Sequence, residues 1–223
     1  MKRRLRAELV RMRVADERER ERLLPRLGDG YHPEMAALHR RNAARLRELI
    51  DAHGWPDAQL VGDDGAEAAW FIAQHAIGEP AFQRRALQLV EEKVAAGRVP
   101  AWQAAYLFDR IAMYEGRPQR WGTQSLPEPD GEFRRWKTEY PRRLNQRRAA
   151  VGLPPAPAQP RRREPTARQR RHHARWLSGY ERWLRESGWR SPSSARTPSR
   201  GQKPKIARPG SRSQKRVALS PTP

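Results

Sequence analysis

Cysteine is missing from all 223 residues, which excludes disulfide scaffolds, thiolate metal sites and thiol catalysis. Long apolar runs are missing too, and no window approaches the roughly 18 apolar residues that a membrane-spanning helix needs. The charged start MKRRLRAELVRMRVADERER leads into no apolar stretch, so no signal peptide is expected. A cytoplasmic location is the economical expectation. Familiar signatures are absent as well: no dinucleotide-binding or Walker-type glycine loop, no HExxH and no GxSxG. Acidic charge is scarce in one place. Residues 156–223 hold 18 of the 46 Lys and Arg but only 3 of the 25 Asp and Glu, and so supply most of the +21 net charge.

The rest of the chain is rich in helix signals. Residues 2–24 are dense in Arg, Glu and Leu, all strong helix formers. From Pro33 to about His53, Met35, Leu38, Leu46, Leu49 and Ile50 keep a helical spacing that Gly54 closes. AEAAWFIAQHAI, behind an Asp63-Asp64 cap, is apolar nearly all round and reads as a central buried helix. Two more helices open at Pro80 and Pro100 and close at Gly97 and Gly116. A polar loop from Gly116 to Gly131 then precedes a last basic helix over about 133–151. No run alternates with the period of a half-buried strand. The expectation is an all-α domain over residues 1–155, a compact bundle of five or six helices stable without the rest.

Ordered along this domain are GWP (Gly54–Pro56), Gly62, Gln74-His75, YLFDR (Tyr106–Arg110), GRPQRWGTQ (Gly116–Gln124) and RRAAVGL (Arg147–Leu153), with Asp16, Arg20 and Asn42 upstream. Each piece is uninformative alone. In this order the set resembles a bacterial domain of unknown function, family 6624, over about residues 8–155. The resemblance implies a domain boundary and a set of positions to watch, and no reaction.

Several of those positions are chemically conspicuous. Gln74 and His75 sit late in the most apolar helix, and Asp109 and Arg110 sit in the fifth among large apolar neighbours. Polar side chains in such settings are costly to bury unless partnered. With Gln119, Thr123 and Gln124 from the following loop, they can converge on one cleft. His75 and Asp109 are then candidates for acid–base work. Gln74, Arg110, Gln119, Thr123, Gln124, Asp16, Arg20 and Asn42 are candidates for binding a phosphate or a nucleotide base. The competing expectation is a structural ion pair and a satisfied polar network. His32, His39 and His53 read as solvated. Asp57, Asp63 and Asp64 read as helix caps, and His172-His173 lacks the i, i+4 spacing of paired ligands, so no metal site is expected. No cofactor is implied.

Beyond the domain, 156–164 reads as a Pro/Arg linker and 165–189 as a basic amphipathic helix. Trp176, Leu177, Tyr180, Trp183 and Leu184 form its apolar stripe. Residues 190–223 read as a disordered basic tail. Arg161, Arg162, Arg163, Arg168, Arg170, Arg171 and Arg175 are candidates for contacting nucleic acid or an acidic partner without sequence specificity. A non-enzymatic interaction module tethered by this tail is the alternative to a ligand pocket.

Overall fold

The computed structural model describes residues 1–23 and 31–191. The expected tail lies almost entirely outside the described residues. Those residues are all-α apart from two three-residue strands. The helices are α1 (Arg3–Leu23), α2 (Pro33–His53), α3 (Ala58–Val61), α4 (Asp63–His75), α5 (Pro80–Ala95), α6 (Ala101–Tyr114), α7 (Leu144–Ala150) and α8 (Ala167–Glu186). No described helix is long and apolar enough to cross a membrane.

Proline and glycine set the clearest boundaries. Pro33 and Pro80 stand in the first turns of α2 and α5, where the lost N–H has no helical partner anyway. Gly54, at φ 74°, ends α2 in a conformation other residues adopt at a cost. Asp57 caps the short α3, which the sequence pattern had not suggested, by accepting from the Leu60 N–H at 3.1 Å. Asp63 and Asp64 do not cap α4. Gly62 does, and the two carboxylates lie in the first turn, where they favour the helix dipole.

At the centre is α4, packed on α1, α2, α3, α5 and α6. Ala68, Ala69 and Ala73 are fully buried on it, and such small side chains let neighbouring helices come close. The main core joins Leu9, Leu46, Trp55, Ile72, Phe82 and Leu107.

The expected helix over 133–151 is corrected. Phe133–Arg135 instead forms strand β2, antiparallel to β1 (Ser125–Pro127), and α7 begins only at Leu144. Two local features explain the interruption. Gly131 (φ 84°) and the Asp130–Arg134 ion pair at 2.6 Å close a turn, and Tyr140 adopts φ 41° just before Pro141. Backbone of that kind cannot continue a helix.

The compact unit runs from Met1 to Pro192, so α8 is part of it. Leu184 and Trp189 are buried in a second core with Ile111, Met113 and Tyr114 of α6. The Trp189 indole donates to the Ile77 carbonyl at 2.7 Å, and Arg190 Nε donates to the Tyr114 carbonyl at 2.9 Å. The segment 156–164 has no helix or strand, yet it is tied down. Arg134 donates to the Arg161 carbonyl at 3.1 Å, and the Arg135 N–H donates to Gln159 at 2.9 Å.

Candidate functional site

The polar positions expected to share one cleft separate into two groups. The first is a clasp around Asp109. Its fully buried carboxylate accepts from the backbone N–H groups of Arg120 (2.6 Å), Trp121 (3.1 Å) and Thr123 (3.0 Å) and from the Thr123 hydroxyl (3.1 Å). Gln119 and Gln124 close the same loop on itself: the Gln119 amide donates to the Gln124 carbonyl at 2.9 Å and accepts the Gln124 N–H at 2.8 Å. Asp109 makes no ion pair with Arg110 or Arg20, and it lines no wall of the cavity described next. Burial pushes its carboxyl above the usual value, with the loop donors pulling the other way.

The second group surrounds a cavity of about 250 Å3. Beneath it, fully buried Asp16 of α1 meets two imidazoles. His75 Nδ1 of α4 lies 2.8 Å from Asp16 Oδ1, and His39 Nε2 of α2 lies 3.0 Å from Asp16 Oδ2. The Tyr31 hydroxyl is 2.6 Å from His39 Nδ1, and the Phe71 ring lies tilted against His75 with ring centroids 3.9 Å apart. His39, His75, Arg20, Arg110 and Tyr114 line the cavity itself. Arg110 donates from Nε to Gln124 Oε1 at 3.2 Å and from Nη1 to the Gln74 carbonyl. The clasp therefore aims the arginine through Gln124, which links the two groups. Gln74 is buried with both side-chain amide atoms unpartnered, and Asn42 is buried with its Nδ2 unpartnered.

His39 corrects an expectation. It is 8% exposed, not solvated. The signal was present in the sequence: His39, Asn42, Leu46 and Leu49 lie on the one inward face of α2. His32 caps α2 and also reaches the cavity, whereas His53 is exposed beside Lys2. The expected nucleic-acid arginines Arg161, Arg162, Arg163, Arg168, Arg170, Arg171 and Arg175 are all exposed. Among them, Arg170 pairs with Glu164 at 2.9 Å and Arg162 with Glu128 at 3.6 Å. The α8 aromatics face one another or the body: Trp176 stacks on Tyr180 at 5.1 Å, and Trp183 meets Tyr114 at 5.3 Å.

Charge at the triad is finely set. Burial opposes ionisation of Asp16 most strongly, yet the hydrogen bond from His75 and the close imidazole of His39 outweigh it and hold the carboxyl at about 2. Burial pushes the His75 imidazole below its usual 6.5, and Asp16 offsets this only in part. A group with a depressed value in the folded state binds its proton more readily when unfolded. His75 therefore contributes stability above pH 6.5 that is lost as pH falls, and Asp16 repeats the effect in the acid range below 3.8. The urea midpoint should drop between pH 7.5 and 5.5, and His75→Gln should flatten that drop. A midpoint equally steep in pH for both proteins would remove His75 as the cause.

The fold and site thus define an all-α domain with a carboxylate–imidazole triad under an arginine-lined cavity. The chain belongs to the Family of unknown function (DUF6624), whose model matches residues 4–165. That span takes in the clasp and every member of the triad, and α8 lies beyond it. No curated protein and no solved structure matches the chain.

Proposed function

We propose that the cavity binds a small phosphate-bearing molecule and presents it to the Asp16–His39–His75 triad. One observation carries this reading. Arg20 and Arg110 both open on the cavity, and neither pairs with a carboxylate among the described residues. Several other arginines of α1 and α2 are paired: Arg13 with Glu17 at 2.9 Å, Arg45 with Glu8 at 2.6 Å and Arg47 with Glu79 at 3.4 Å. Arg110 is half-buried with only neutral oxygens for company, and Arg20 adds a like charge beside it. A buried guanidinium without a counter-ion is costly, and an incoming oxyanion relieves that cost through charge-assisted hydrogen bonds.

Size narrows the ligand. Drug-sized ligands occupy about 300–1,000 Å3. A cavity of about 250 Å3 suits inorganic phosphate or a compact phosphomonoester better than a dinucleotide. Phosphate at about one hundred times its Kd should stabilise the fold by about 2.7 kcal/mol, a rise in melting temperature of about 5–10 °C. Arg110→Met should abolish the rise while leaving the protein folded. An unchanged melting point with phosphate, or an equal rise in the variant, would overturn the proposal.

A further inference from the structure

The geometry points to a divalent transition-metal site at the base of the cavity, held by Asp16, His39 and His75. This deepens the phosphate reading and rests on it only for the open face of the metal.

The three residues come from three helices, and their donor atoms all lie within 4.8 Å of one another. Metal bonds of about 2.0–2.2 Å place neighbouring donors about 3.0–3.5 Å apart. The 3.0 Å contact lies at the short edge of that range and the 2.8 Å contact just below it. The stronger sign is a mismatch. Asp16 Oδ2 and His39 Nε2 are buried and 3.0 Å apart, yet they are not aligned as a hydrogen bond and neither has another partner. Buried polar atoms are normally satisfied. A cation between the two would accept a lone pair from each.

The surroundings fit that role. The Tyr31 hydroxyl occupies His39 Nδ1 and so fixes the ring with Nε2 towards Asp16, as an outer partner orients a ligating histidine. Two imidazoles and one carboxylate suit zinc, cobalt, manganese or ferrous iron, whereas calcium and magnesium prefer oxygen alone. Three protein ligands leave a further position open. Both histidines line the cavity together with Arg20 and Arg110, so a ligand in the cavity could reach that position. A phosphate oxygen would complete the shell while the guanidiniums neutralise its remaining charge.

The expectation of no metal site rested on spacing along the chain. Positions 16, 39 and 75 share no local motif, and only the meeting of α1, α2 and α4 makes them neighbours.

The test uses the full chain, stripped with EDTA and titrated with Co2+. Visible absorption of ligand-bound cobalt reports occupancy and geometry, and calorimetry with Zn2+ reports stoichiometry. One equivalent should bind. His39→Gln should lower affinity well over tenfold, and Tyr31→Phe by about tenfold, as measured for outer partners. His172→Gln/His173→Gln should bind as the parent does, which separates the triad from the adjacent histidine pair of α8. Circular dichroism establishes that each variant is folded. No saturable binding, or binding unchanged in folded His39→Gln and Tyr31→Phe, would overturn the inference. Phosphate-induced stabilisation measured in EDTA judges the cavity separately: cobalt binding without it leaves the metal site standing and removes the phosphate reading, and the converse result does the reverse.

Discussion

Asp109→Ala should cost about 3–4 kcal/mol of stability, seen as a fall of about 10 °C in melting temperature. The loss comes from the loop and not from a broken ion pair. Three backbone N–H groups and one hydroxyl converge on this carboxylate, and without it they stay in a part-buried loop with no acceptor. Leaving one such donor unsatisfied costs about 1–3 kcal/mol, and water entering the gap recovers some of the total. Asp109→Asn should fall between the two proteins, because one of its atoms would turn a donor towards donors. A change within about 0.5 kcal/mol for Ala would mean that the clasp does not hold the loop. The same variant should weaken phosphate binding as well, since Gln124 positions Arg110 from that loop.

The second large effect is expected at the other end of the chain. Cutting after Pro155 removes Leu184 and Trp189 from the core they share with Ile111, Met113 and Tyr114. Full burial of one such side chain is worth about 1.5–3 kcal/mol, so the truncated chain should lose about 3–6 kcal/mol. Trp189→Ala in the full chain should by itself cost about 3–5 kcal/mol. It leaves the Ile77 carbonyl without its donor and exposes Tyr114, whose ring lies 5.1 Å away. Guanidinium denaturation of both proteins measures this. If residues 1–155 prove as stable as the whole, α8 merely rests on the body.

Much of the helical frame was legible because its signals are local. Pro33 and Gly54 bracket α2, and Pro80 and Pro100 open α5 and α6. Such residues act through their own backbone, whatever packs around them. The 133–151 segment misled for the opposite reason. Its Arg-rich composition favours helix, but pairing of Phe133–Arg135 with Ser125–Pro127 depends on partners six to ten residues earlier. The site was legible by halves. Gln74, His75, Asp109 and Arg110 stand out as polar residues in apolar helices, and two of the four, Gln74 and Asp109, are buried. Their division into clasp and cavity was not legible, because helix periodicity tells which way a side chain points and not what it meets. His39 and Tyr31 are illegible for that reason: one reads as a surface imidazole among charged residues, and the other has no neighbour in sequence to suggest a role.

The triad draws one member from each of α1, α2 and α4, and α1 is also the first element of the chain. Lifting α1 away would break its packing on α4 and α2 and the Arg6–Asp64 and Arg45–Glu8 pairs, while α2, α4, α5 and α6 could keep their mutual packing. Such a partial opening would remove Asp16 and Arg20 together and erase the site without unfolding the protein. Anything that bridges the triad acts as a rivet in a chain that has no disulfide. Amide protons of α1 should therefore exchange with solvent through a motion that ligand suppresses and that the global unfolding equilibrium does not govern.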